Sequence, residues 1–125
     1  MRDIYDILVV DRRTEVRSAI CEYLEAEGYF PVAAADYDAA IELLRLQATV
    51  RVVLVDTDMR NEAPHNPRRS AWRLVDELAA RGLSVIGMGE PDDMDEPRER
   101  GYPVLRKPFH LREMLAYIRA VPLVL

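Results

Sequence analysis

Asp11, Asp56 and Lys107 each stand just past an apolar run, and each carries a side chain able to do chemistry. A carboxylate can attack phosphorus. A cation beside it can stabilise the negative charge on the transferring oxygens. Gathered into one crevice, two carboxylates and an ammonium would support transfer of a phosphoryl group to an aspartate. Taken singly they are ordinary. A strand-end aspartate often only caps the helix that follows, and one lysine is often a solvated loop residue. Their meaning depends on the elements that position them.

Those elements are legible as apolar runs separated by helical spacing. Residues Ile4 to Val10 form a near-continuous apolar run, as expected of a strand buried on both faces. From Thr14 the pattern becomes helical, with Val16, Ala19, Ile20, Tyr23 and Leu24 inward and Gly28 as the stop; Thr14 is the expected cap. Phe30 to Ala34 reads as a short second strand, weakened by Pro31. Asp36 or Asp38 caps a second helix with Ala40, Ile41, Leu43 and Leu44 inward. Val50 to Asp56 is a third strand, and residues 60–70 with Pro64 and Pro67 are a loop. Trp72, Leu74, Val75 and Leu78 mark a third helix, closed by Gly82. Ser84 to Met88 is a fourth strand and Val104-Leu105 a short fifth. Between them, Glu90 to Arg100 holds six acidic residues and two prolines, which predicts a short or broken helix. A last amphipathic helix runs from His110 to Ala120 with Met114, Leu115 and Ile118 inward. This alternation predicts an α/β domain over residues 1–121, with 122–125 a tail or the start of a linker. Its doubly wound parallel sheet would gather the strand C-terminal ends, and with them the three residues, at one edge.

Three segments carry a more specific likeness: Ile7-Leu8-Val9-Val10-Asp11, Val53-Leu54-Val55-Asp56-Thr57-Asp58-Met59 and Arg106-Lys107-Pro108-Phe109. In this order and spacing they resemble the signature segments of response-regulator receiver domains of two-component signalling, and the likeness spans almost the whole chain. The resemblance implies a five-stranded flavodoxin-like sheet of order 2-1-3-4-5 with about five helices. It implies Asp56 as phosphate acceptor, Asp11 in the acidic metal-binding corner, Lys107 in contact with the phosphoryl group, and a cis Lys107-Pro108 bond. It also implies a histidine kinase or another signalling protein as partner, homodimerisation as a family habit, and a bacterial role such as transcription regulation.

The sequence also departs from that family. Where two consecutive acids normally follow the first strand, it has Asp11-Arg12. Magnesium needs carboxylate oxygens in near-octahedral geometry, which a guanidinium cannot supply. Arg12 either bridges Asp11 and Asp56 in place of the metal, with Lys107 completing the cluster, or points into solvent from an exposed loop. In the second case weak magnesium binding through Asp11, Asp56 and Asp58 survives. At the end of the fourth strand Gly89 replaces the family's Thr or Ser, so the switching hydroxyl is lost. Val104 stands where the switching aromatic belongs, with Tyr102 two positions before it. The expectation is an atypical, pseudo-receiver-like domain: an acceptor aspartate with a degraded metal site and switch, weakly phosphorylated or phosphorylation-independent, working by protein–protein contact. Asp92, Asp93, Asp95 and Glu96 would give it an acidic patch for a basic partner.

Composition bounds the alternatives. At 125 residues and 31% charged, the chain has the length and balance of one soluble domain. A net charge of -5 argues against direct nucleic-acid binding. No run reaches the roughly 20 apolar residues of a membrane span, and no signal peptide is visible. A single cysteine, Cys21, fits a reducing cytoplasm. His65 and His110 lack partners at ligand spacing, so zinc is not expected. Met88, Met94 and Met114 read as core or loop. The rival from another class is a small magnesium-dependent phosphatase of haloacid-dehalogenase type, suggested by Val55-Asp56-Thr57-Asp58. That motif normally opens its chain, whereas here two strand-helix units precede it.

Overall fold

The computed structural model describes residues 5–46, 49–56, 71–89 and 101–121, without the side chains of 71–74 and 77. The two stretches expected to be a loop and an irregular helix, residues 60–70 and 90–100, lie outside the described residues, as does the tail. Trp72 and Leu74 have no side-chain description.

The described elements run in chain order β1 (Ile7–Val10), α1 (Thr14–Ala26), β2 (Pro31–Ala34), α2 (Tyr37–Leu46), β3 (Val52–Asp56), α3 (Ala71–Ala80), β4 (Ser84–Gly89), β5 (Val104–Arg106) and α4 (Leu111–Arg119). They form one five-stranded sheet of order β2-β1-β3-β4-β5. Every pairing is parallel. Because side chains alternate across a strand, the buried runs feed two cores. Leu8, Val10, Val53, Val55 and Val85 face α2 and α3 with Ala40, Val75 and Leu78. Ile7, Val9, Leu54, Ile86, Met88 and Leu105 face α1 and α4 with Ile20, Leu24, Met114 and Ile118. Leu8, Val9 and Leu54 are completely buried, each such side chain contributing about 1.5–3 kcal/mol. A strand apolar on both faces is therefore stable only at the sheet centre, where β1 and β3 lie.

The ends of the elements differ slightly from expectation, each for a local reason. Asp6 lies just before β1, and its carboxylate accepts the Phe30 N–H at 2.9 Å. Arg51 precedes β3, and its N–H donates to the Asp6 carbonyl at 3.0 Å. Thr14 is the first helical residue of α1 rather than its cap; Arg13 holds that place without a side-chain cap bond. The Thr14 hydroxyl instead accepts from Arg17 Nη2 at 3.3 Å. Of the two candidates at α2, Asp36 does the capping, its Oδ1 accepting the Ala39 N–H at 2.8 Å. Gly82 closes α3 with φ of +91°, a conformation glycine adopts without penalty.

Cys21 lies half-buried on α1 against the second core. Burial, with the negative charge of Glu25, pushes its thiol above the usual range, while Arg17 pulls the other way. Only the thiolate is nucleophilic. At neutral pH a thiol reagent is therefore expected to modify the native chain several times more slowly than the urea-unfolded chain, the gap narrowing as pH rises. Equal rates at neutral pH would contradict this placement.

Candidate functional site

In a doubly wound sheet the crevice opens where successive connections leave in opposite directions, at the C-terminal ends of the strands. Here that point lies between β1, which leads outward to β2, and β3, which leads to β4 and β5. Asp11 follows β1, Asp56 ends β3, and Lys107 follows β5. Both carboxylates are 0% exposed and Lys107 is 9% exposed, so the three form a largely buried cluster.

Lys107 Nζ lies 3.2 Å from Asp11 Oδ2 and 3.4 Å from Asp56 Oδ1. Its backbone is fixed as well, its N–H donating to the Gly89 carbonyl at 2.8 Å. The Lys107-Pro108 bond is cis. Asp11 Oδ1 accepts the Arg13 N–H at 2.8 Å, which turns the chain from β1 toward α1. One oxygen of Asp11 therefore serves the loop and the other serves the lysine. The Asp11 carbonyl accepts from Arg17 Nη1 at 2.6 Å. Asp56 Oδ2 is buried and accepts no hydrogen bond from the described residues.

Two buried carboxylates face one ammonium, which leaves the trio with a surplus negative charge. Like charges this close raise each other's energy unless another cation joins the cluster. Asp56 Oδ2 and the surplus charge both suit a cation. Yet among the described residues no three carboxylate, imidazole or thiol groups come together, and Asp11 already has both oxygens bonded. The described donors are thus only part of a magnesium ligand set.

The structure brings Asp11, Asp56 and Lys107 together and leaves Arg12, one residue past Asp11, exposed. Gly89 is the buried last residue of β4, and Val104 opens β5 half-buried, in register with Gly87. Tyr102 packs on the α2/α3 side, and its hydroxyl donates to Asp76 Oδ1 at 2.7 Å, tying the lead-in of β5 to α3. Asp58 lies outside the described residues. His110 holds the N-cap place of α4.

Sequence reasoning missed two features. Arg17 braces the β1–α1 loop, a role no spacing announces. Lys107 is the single lysine among 17 Lys and Arg residues. In so arginine-rich a chain, one lysine marks a position where a slim point charge is needed and a planar guanidinium does not serve.

No protein-family model matches the chain. Among curated proteins it is 28% identical over 123 residues to the phosphate regulon transcriptional regulatory protein PhoB of Escherichia coli, covering 92% of this chain and 50% of that protein. The Klebsiella pneumoniae protein of that name is 30% identical with the same coverage. The chain thus spans about half the length of the curated relatives it matches. Among solved structures, a response regulator receiver domain protein from Clostridium thermocellum superposes with a TM-score of 0.77 at 21% identity, covering 93% of this chain and 92% of that one. The chain folds as a response-regulator receiver domain. Another receiver-like match, a response regulator from Burkholderia pseudomallei, has a TM-score of 0.70 at 19% identity and covers 90% of this chain and 65% of that one. That structure holds a phosphorylated aspartic acid, a calcium ion and citrate. None of these relatives is a phosphatase, and the haloacid-dehalogenase reading gains no support from them. No helix among the described residues is long and apolar enough to cross a membrane.

Proposed function

We propose that this receiver domain accepts phosphate on Asp56 only slowly, so that contact with a partner protein, rather than phosphorylation, carries most of its signal. The observation behind this reading is the buried trio, in which Lys107 lies 3.2 and 3.4 Å from the two carboxylates. In the transfer, an Asp56 oxygen attacks phosphorus, a P–O bond forms as the bond to the leaving group breaks, and that group departs with the electron pair. Asp56 neither gains nor loses a proton. Lys107 faces the transferring oxygens and offsets their charge.

Two substitutions, at Arg12 and Gly89, slow that step, and a third, at Val104, removes the switch that would report it. Arg12 stands where a second acid would help hold magnesium, so the ion binds weakly, through Asp11 and Asp56 with Asp58. When bound, it would neutralise charge on the phosphoryl oxygens. The positive charge of Arg12, one residue past Asp11, works against a cation there. Gly89 has no hydroxyl for the phosphoryl group, and Val104 has no aromatic ring to move. The domain serves a signalling role in the cytoplasm rather than turning over a diffusible substrate. Its phosphate source is a histidine kinase or a related signalling protein. Its net charge of -5 disfavours direct contact of this domain with nucleic acid.

The test is intact mass after incubation with acetyl phosphate and magnesium, with Asp56→Asn in parallel. A slowly forming adduct of one phosphate that is absent from the variant supports the proposal. Rapid, complete modification would overturn the slow-acceptor reading. A folded chain that takes no phosphate at all would leave partner binding as its only means of signalling.

A further inference from the structure

Every polar group of Asp11 is held, each from a different direction. Its N–H donates to the Ala34 carbonyl of β2 at 3.2 Å. Its Oδ1 accepts the Arg13 N–H at 2.8 Å, and its Oδ2 faces Lys107 Nζ at 3.2 Å. Val10 is the last paired residue of β1, so the Asp11 carbonyl lies beyond the ladder. There Arg17 Nη1 donates to it at 2.6 Å, in a part-buried contact. Side chains on a helix lean toward its N-terminus, which aims residue 17 of α1 back at the end of β1. Arg17 Nη2 donates to Thr14 Oγ1 at 3.3 Å, so the planar guanidinium is held at two points.

The carbonyl that Arg17 holds belongs to the planar peptide joining Asp11 to Arg12. Fixing that plane does two things. It sets the backbone from which the Asp11 carboxylate reaches Lys107, and it sets the direction in which residue 12 leaves the chain. Among the described residues bonded to Asp11, Arg17 supplies the one side chain from outside the buried trio.

We infer that Arg17 is a positioning residue for the acceptor site. By holding the Asp11–Arg12 peptide it places the Asp11 carboxylate against Lys107 and orients residue 12. The consequence for phosphate transfer rests on the reading of Asp56 as acceptor, whereas the coupling of Arg17 to Lys107 does not. Charge alone predicts the reverse of positioning. A guanidinium beside Asp11 works against a cation there, so removing it would tighten magnesium binding. Positioning predicts looser binding although a positive charge is lost.

The experiment has two arms. In the first, urea unfolding compares Arg17→Met, Lys107→Met and the double variant. Both side chains act on Asp11, so the midpoint shift of the double variant is expected to fall short of the sum of the single shifts. Additive shifts overturn the inference, because a residue that only anchors α1 is independent of Lys107. In the second arm, titration calorimetry reads magnesium affinity of the folded chain in the native and the Arg12→Asp backgrounds. Arg17→Met is expected to weaken binding roughly tenfold in the Arg12→Asp background, as loss of a residue that orients a ligand does. Arg17→Lys keeps the charge and can still donate to the carbonyl, so it is expected to restore part of the loss. Unchanged or tighter binding in Arg17→Met overturns the inference. Where no magnesium binding is measurable, the urea comparison decides alone. Neither arm uses phosphate, so a chain that never accepts phosphate on Asp56 leaves both readable.

Discussion

Replacing Lys107 by methionine is expected to destabilise the fold by about 3–5 kcal/mol, the usual cost of removing one partner from a buried ion pair. Asp11 and Asp56 are both fully buried and both paired with this one ammonium. Methionine fills similar space, so the loss isolates charge from packing. For a domain whose whole stability is on the order of 5–15 kcal/mol, that is a large fraction. In urea the midpoint should fall by roughly 1–3 M if the slope is unchanged.

The sign of the companion variant makes the argument specific. Asp56→Asn removes one of two like charges while keeping the shape, so it is expected to leave the midpoint unchanged or raise it. In the double variant, the loss from Lys107→Met should shrink, because a single buried carboxylate is left without the ammonium instead of two. Lys107→Arg is expected to lose stability as well, since a planar fork cannot occupy the place of a point charge 3.2 Å and 3.4 Å from two carboxylates. If Lys107→Met moves the midpoint by less than about 1 kcal/mol equivalent, within the ordinary range for surface substitutions, the trio is not the tightly coupled buried unit described above.

The parts of this fold that the sequence announces are those with two buried faces. Val53-Leu54-Val55 cannot be solvated on either side, so the run reads as a central strand from its residue types alone. The convergence of Asp11, Asp56 and Lys107 follows from strand order, because a doubly wound sheet brings those ends to one edge. The ends of elements are harder, because single hydrogen bonds decide them. Thr14 has the chemistry of a cap, yet the Asp11 carboxylate already turns the loop through the Arg13 N–H and Thr14 enters the helix. Asp36 and Asp38 both suit a cap, and only geometry selects Asp36. Arg17 and Tyr102 act across 6 and 26 residues of sequence, through bonds that no periodicity encodes.

Arg12→Asp is the second substitution with a large expected effect: a gain in magnesium affinity of roughly tenfold or more, the scale on which changes around a metal alter its binding. The variant replaces a cation with a carboxylate next in sequence to Asp11, changing the local charge by two units. Magnesium is a hard ion that prefers oxygen ligands and keeps several waters, so one further carboxylate beside Asp11 and Asp56 supplies the donor that the native chain lacks. Titration calorimetry with magnesium reads the affinity directly, and the rate of adduct formation with acetyl phosphate reads its consequence. Both should rise together, and Asp56→Asn in the Arg12→Asp background should abolish the adduct. Arg12→Ala separates the two roles of the native residue: it removes the competing charge without adding a ligand, and is expected to give a smaller gain. No gain from Arg12→Asp would mean that Arg12 is not what keeps the ion out, and that the slow step lies with Gly89 instead. A gain in affinity without a gain in rate would divide the two defects, placing the metal at Arg12 and the chemistry at the missing hydroxyl.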